Sequence, residues 1–138
     1  MTEDRAAELA LNRALWAVMN ERFTDAAADG MWAREQVAWG LFAVPDRDLG
    51  VLGDVDGLDV VELACGTAYF SAWLARAGAR TVAVDVSHEQ LTTALRMQRE
   101  RGPAFPLVQA DAERLPLPSE RYDLVVSEHG AAAWCDPE

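Results

Sequence analysis

Residues 59–85 read DVVELACGTAYFSAWLARAGARTVAVD, and the order of residue types in this stretch decides the fold. Asp59 to Leu63 is a short apolar, β-branched run, as expected for a buried strand. Ala64 to Ala68 is a tight turn of small residues that lets backbone approach a ligand closely. Thr67 is placed to cap a helix, and Phe70, Trp73, Leu74 and Ala77 then repeat at helical spacing until Gly78 stops the element. Arg80 to Val84 is a second strand that ends in an acid, Asp85. In a right-handed strand–helix–strand unit the carboxyl ends of parallel strands share one edge. The segment from Glu62 to Thr67 and Asp85 therefore converge on one crevice. An acid about twenty residues after the loop is placed to accept the hydroxyls of a ribose.

The loop also excludes ligands. A dinucleotide fingerprint needs G-x-G-x-x-G so that a helix N-terminus can hold a pyrophosphate, and here those positions are Ala64, Gly66 and Tyr69. No G-x-x-x-x-G-K-[ST] occurs, and the chain has no lysine. An unphosphorylated nucleoside derivative fits better than a nucleotide.

Downstream, the second crossover helix follows Asp85, with Ser87 and Gln90 as a capping box and Gly102-Pro103 as its end. Phe105 to Ala110 is a third strand, and its Pro106 suits a sheet edge. Tyr122 to Ser127 is a fourth, apolar enough for a buried parallel strand. Upstream, Glu3 to about Ala28 reads as a long helix. Leu11, Leu15, Val18, Met19 and Arg22 lie on one side, and Trp16, Asn20 and Phe23 on an adjoining one. A second helix runs from Met31 to about Leu41, and Pro45 to Gly57 is a linker.

Taken together, VELACGTAYF, Asp85, QADAERLPLP and YDLVVSEHG resemble the ordered motifs of the class I S-adenosylmethionine-dependent methyltransferases, from about Val55 to about Pro137. The resemblance implies a Rossmann-like, doubly wound parallel α/β sheet with strands in the order 3-2-1-4, part of a seven-stranded 3-2-1-4-5-7-6 arrangement. It implies S-adenosylmethionine as cofactor, S-adenosylhomocysteine as product and a small-molecule methyl acceptor. Cofactor contacts are expected from Glu62, Ala64, Cys65, Gly66, Thr67 and Phe70 around the first loop. Asp85 and Val86 follow the second strand, Asp111, Ala112 and Glu113 the third, and Ser127 ends the fourth. Asp85 would hold the ribose, and Asp111 and Ala112 the adenine. Glu128 and His129 would stand where the methyl group is transferred, and either could orient or deprotonate an acceptor. The family loop carries glycine where this chain has Ala64 and Ala68; an alanine held at positive φ costs about 1–2 kcal/mol. That cost is expected at Ala64, whereas Ala68 is read as the start of the helix.

Residues 1–50 are expected to form a helical lid and residues 51–138 a partial cofactor domain. Trp16, Trp39 and Phe42 would serve either as the lid's apolar lining or, more simply, as packing onto the sheet. The sequence ends shortly after strand four, so we expect a partial form of a longer methyltransferase. Completion of the sheet by a second chain, as in a homodimer, is the alternative. Other functions carried forward are a catalytically incomplete cofactor-binding or interaction module and an NAD-dependent oxidoreductase.

The 138 residues carry a formal charge of −11, with all twelve basic residues arginine. That balance disfavours nucleic acid and anionic membranes as partners, because phosphate contacts need clustered cations. Cys65 and Cys135 lack metal-type spacing and read as free thiols, with no base paired to Cys65 for nucleophilic catalysis. No metal site is expected. No membrane span or signal peptide is recognisable, which points to the cytoplasm.

Overall fold

Two runs of apolar residues, at Val60-Val61 and Val82 to Val84, pair side by side and set the centre of the molecule. The computed structural model describes residues 3–135. Asp59–Leu63 (β3) pairs in parallel with Arg80–Asp85 (β4) on one side and with Leu124–Val126 (β6) on the other, and Leu107–Gln109 (β5) adds to β4. The sheet order β5-β4-β3-β6 is the expected 3-2-1-4 in order along the core. Between these strands run Tyr69–Arg76 (α4) and His88–Arg101 (α5), with a short Ala131–Trp134 helix (α6) after β6. Ala72 of α4, Ala83 of β4 and Leu91, Ala94 and Met97 of α5 share one buried cluster with Ala28 and Trp32. Small residues let the helices lie close to the sheet there. Gly78 ends the α4 region at φ 95°, a conformation that favours glycine, and a Cβ there would also displace the Asp56 side chain, whose Oδ1 would lie 2.0 Å away.

The N-terminal part departs from expectation in three ways. The first helix, Glu3–Met19 (α1), passes into a π-helical turn at Asn20–Thr24 and continues as Asp25–Trp32 (α2), so helix extends past Ala28. Its inward face is also different. Leu11, Leu15 and Val18 point to solvent, whereas Arg5, Leu9, Asn12 and Trp16 face a cavity and Asn20 is buried. No helix spans residues 31–41. Instead Ala38–Trp39 (β1) and Val44–Pro45 (β2) form an antiparallel hairpin whose tip uses left-handed backbone at Gly40 and Ala43. The physical reason is Trp39, which packs on Phe70 with ring centroids 5.0 Å apart while its Nε1–H donates to Asp46 at 2.7 Å. Asp46–Leu49 (α3) is a short helix within the expected linker.

β3 and β4 cover the expected runs, whereas β5 and β6 are shorter than the stretches that announced them. β5 covers three residues of the expected six and sits at an edge, as Pro106 suggested. β6 is not the buried strand expected from its composition. Among the described residues it is the other edge of the sheet, and its Val125 is 59% exposed. Among the described residues, no helix is long and apolar enough to cross a membrane.

Candidate functional site

The carboxyl ends of β3, β4, β5 and β6 open into a cavity of about 270 Å³. Ala64 to Thr67 follow β3, Asp85 and Val86 end β4, Ala110 to Ala112 follow β5, and Glu128 to Ala131 follow β6. Helix α1 roofs it with Arg5, Leu9, Asn12 and Trp16, and the π-helical turn and α2 add Thr24, Ala27 and Met31. Trp134 of α6 closes the far side, edge-on to Trp16 at 5.3 Å.

The loop after β3 takes left-handed backbone at every second residue: φ is 54° at Ala64, 55° at Gly66 and 58° at Ala68. Glycine adopts this conformation freely and alanine at a cost, so the loop bears strain at Ala68 as well as at Ala64. Ala68, expected simply to begin the helix, is the left-handed residue before it. Thr67 makes no cap; its carbonyl accepts a 2.8 Å hydrogen bond from Trp32 Nε1–H. The loop's alternating backbone turns the Gly66 N–H onto Asp85.

Asp85 is buried. Its Oδ2 accepts from Gly66 N–H and its Oδ1 from Ser87 N–H, each at 2.8 Å. Burial raises its carboxyl above the ordinary range, and these backbone donors pull it part of the way back. A carboxylate has about four lone-pair directions. With Gly66 and Ser87 N–H on separate oxygens and Val86 N–H also acting on the group, one acceptor direction is left for a ligand in the cavity. Asp111 stands in a comparable position after β5. Its Oδ1 accepts from the Arg5 guanidinium at 3.0 Å and from Glu113 N–H at 3.1 Å, and its Oδ2 is buried without a partner among the described residues. Arg5 also meets Glu113 at 2.7 Å, which ties the start of α1 to the loop after β5.

Beyond β6, Glu128, His129 and Tyr69 come together. Glu128 Oε1 accepts from the Gly40 N–H at 2.9 Å and lies 3.5 Å from His129 Nε2, and Oε2 accepts from the Tyr69 hydroxyl at 3.1 Å. Burial, with the Glu128 charge beside it, raises the Tyr69 phenol, so it stays protonated and donates. His129 sits at φ 52°, half exposed, at the mouth. Gly130 lets this loop press onto the β3 loop; a Cβ there would stand 2.7 Å from the Leu63 carbonyl.

Of the residues singled out in the sequence, Ala64, Cys65, Gly66, Thr67, Asp85, Val86, Asp111, Ala112, Glu128 and His129 line the cavity. Four do not. Glu62 lies beneath the loop, where its Oε2 accepts from the Ser71 N–H at 2.9 Å and hydroxyl at 2.5 Å. Phe70 is fully buried between Trp39 and Trp73. Glu113 pairs with Arg5, and Ser127 Oγ joins two loops by donating to Leu63 O and accepting from Ala131 N–H. Burial pushes the Cys65 thiol well up, so it is not a ready nucleophile. Trp39 packs in the core, Phe42 is 94% exposed on the hairpin tip, and Trp16 alone of the three aromatics reaches the cavity.

The sequence reading missed Arg5, Leu9, Asn12, Thr24 and Trp134 as cavity residues, and it saw Gln90 only as part of a cap. Arg5, Leu9, Asn12, Trp16 and Asn20 do recur at helical spacing, but their mixed polarity hides the stripe from a search for apolar residues.

Residues 60–138 match the family described as methyltransferase domain. Over 91 residues the chain is 35% identical to the malonyl-[acyl-carrier protein] O-methyltransferase of Pectobacterium atrosepticum, covering 66% of this chain and 34% of that protein. It is 28% identical over 92 residues to the ubiquinone biosynthesis O-methyltransferase of Cereibacter sphaeroides, covering 67% and 37%. The chain thus spans about a third of the length of these relatives. A crystal structure of an S-adenosylmethionine-dependent methyltransferase from Listeria monocytogenes superposes with a TM-score of 0.51 at 26% identity, over 59% of this chain and 38% of that one. The fold including α1 and α2 is similar to phosphoethanolamine N-methyltransferase 1 of Haemonchus contortus, with a TM-score of 0.64 at 19% identity over 92% of this chain and 26% of that one. With its sheet order, its loop of left-handed residues and the acid closing β4, the chain belongs to the class I S-adenosylmethionine-dependent methyltransferases.

Proposed function

We propose that this chain binds S-adenosylmethionine in the cavity under α1 and takes part in methylating a small-molecule acceptor in the cytoplasm. The observation that carries the reading is Asp85, buried at the cavity wall on backbone donors from Gly66, Ser87 and Val86, with acceptor capacity left for a ribose hydroxyl. Asp111 Oδ2, buried without a partner among the described residues, suits the exocyclic amine of adenine, and the Ala112 backbone suits a ring nitrogen. The bound cofactor supplies an activated methyl group on a sulfonium, so the chemistry asked of the protein is alignment and exclusion of water.

In this reading Glu62 keeps the start of α4, and with it the loop, in place through Ser71. Residues 1–50 act as the lid, with α1 as the roof that excludes water. His129, held beside Glu128 at the mouth, orients the acceptor or takes its proton. The small cavity and a net charge of −11 support a small acceptor over nucleic acid. A second reading, a cofactor-binding module without turnover, is favoured by Glu128, whose carboxylate bridges the Gly40 N–H of the hairpin and the Tyr69 hydroxyl as a structural tie, which leaves His129 as the base at the mouth.

Titration calorimetry with S-adenosylhomocysteine, S-adenosylmethionine and NAD separates the readings. Heat with the two sulfur ligands and none with NAD is expected, and silence with both sulfur ligands overturns the proposal. Binding without methyl transfer across a panel of hydroxyl, amine and thiol acceptors selects the second reading. An Asp85→Ala variant should bind S-adenosylhomocysteine about 10–100-fold more weakly, the scale of hydrogen bonds to a charged group.

A further inference from the structure

At the junction of the π-helical turn and α5, the buried Asn20, Gln90 and Thr93 and the half-buried Thr24 and Asp25 form a hydrogen-bond relay whose direction is set from one end. The Asp25 carboxylate can only accept, so Thr93 directs its hydroxyl proton to Asp25 Oδ1, 2.6 Å away. Thr93 Oγ1 then accepts from Asn20 Nδ2 at 3.0 Å, and the second proton of that amide goes to Thr24 Oγ1 at 3.2 Å. Thr24 in turn donates to Gln90 Oε1 at 3.1 Å. The relay fixes the Gln90 amide with its oxygen toward Thr24. Its Nε2, with two protons to give, has no partner among the described residues, although Gln90 is only 1% exposed.

Buried amide donors are paired in nearly all native structures, so an orphan one calls for an acceptor. Gln90 and Thr24 both line the cavity, and Gln90 Oε1 lies 3.7 Å from where a Cβ on Gly66 would stand. Gly66 N–H is itself bound to Asp85. Gln90 and Asp85 thus flank the same residue, Gly66, at the wall of one cavity. The π-helical turn supplies two of the relay's members, Asn20 and Thr24, and such turns often occur at functional sites.

We infer that Gln90 is a further cofactor-binding residue: its Nε2–H donates to the oxygen of a ribose hydroxyl whose own proton goes to Asp85. A hydroxyl both donates and accepts, so an acceptor-only carboxylate and a donor-only amide nitrogen together satisfy it. The inference rests on the cofactor reading above and adds a donor that recognises the sugar.

The test is calorimetry of wild type, Gln90→Met and Gln90→Glu with S-adenosylhomocysteine and with its 2′-deoxy and 3′-deoxy analogues. Gln90→Met removes the donor at nearly constant length. Gln90→Glu keeps an oxygen for Thr24 and removes the donor, which guards against a packing defect in the first variant. Both variants should bind S-adenosylhomocysteine about 3–10-fold more weakly, the scale of one neutral hydrogen bond. With the analogue that lacks the contacted hydroxyl, the loss for Gln90→Met should shrink below about twofold. Wild-type affinity for S-adenosylhomocysteine in both variants, or an equal loss with all three ligands, overturns the assignment. If wild type itself binds none of the three, the cofactor reading has failed and the Gln90 role falls with it.

Discussion

Replacing Glu62 with glutamine should remove much of this protein's loss of stability between mildly acidic and alkaline pH. Glu62, on the central strand, is 2% exposed, and its Oε2 accepts both the N–H and the hydroxyl of Ser71. Burial pushes its carboxyl up to about 8 despite those two bonds, with the negative charges of Glu128 and Asp85 adding to the rise. In the unfolded chain the group titrates near its ordinary 4.5. Between those values the folded protein holds a proton that the unfolded chain has released. Stability is therefore complete below the unfolded value and falls by about 1.4 kcal/mol per pH unit as pH rises toward the folded one. Integrated over the interval, the loss is about 3–6 kcal/mol, a large share of the stability of a typical domain.

Glutamine keeps an oxygen for Ser71 and cannot ionise. Urea unfolding followed by tryptophan fluorescence at pH 5, 6.5 and 8 gives the comparison directly. The wild type should lose more stability than Glu62→Gln across that range by about 3–6 kcal/mol. Asp85, also raised by burial, should leave a shallower slope of the same sign in the variant. Equal pH slopes for the two proteins would refute the reasoning, because Glu62 would then be ionised in the folded state.

Two further outcomes follow from the loop and its support. Ala64→Gly should raise stability by about 0.5–1 kcal/mol, the cost of a left-handed alanine less the extra freedom of an unfolded glycine; a thermal melt that stays put or moves down contradicts the strain at φ 54°. Trp32→Phe should lower stability by about 2–4 kcal/mol in urea unfolding, since it strands the Thr67 carbonyl and loosens the stack on Phe105; a loss below about 0.5 kcal/mol would show that the bond to the loop is dispensable.

The parts of the fold that were legible in the sequence are those in which one short stretch carries both its own structure and its ligand geometry. β3, the loop, α4 and β4 are consecutive, and a right-handed crossover leaves one place for Asp85 relative to Gly66. The hairpin at residues 38–45 was not legible because each strand is two residues long, too short for alternation to show. Helix α1 misled for a different reason. It faces a cavity with polar walls, so its inner stripe mixes Arg5 and Asn12 with Leu9 and Trp16, and the continuous apolar stripe through Leu11, Leu15 and Val18 is the outer one. Ala68 gave no sign of its backbone, because alanine carries no preference for positive φ. Gln90 was visible as a helix-start residue, but the orphan state of its amide depends on Asn20 and Thr24, some seventy residues earlier in the chain.

Helix α1 and the π-helical turn that continues it are fastened to the rest of the molecule at separate points: Arg5 on Asp111 and Glu113, Asn12 on the Trp134 carbonyl, and Asn20 of the turn on Thr93. None of these is a strand-pairing contact, so the docking of the roof and the pairing of the strands rest on separate interactions. Were the roof to open, the apparent dissociation constant of the proposed ligand would be the intrinsic one divided by the docked fraction. Residues such as Asn12 would then tune affinity through that fraction without touching the ligand, and a ligand that prefers the docked form would tighten every fastening in return.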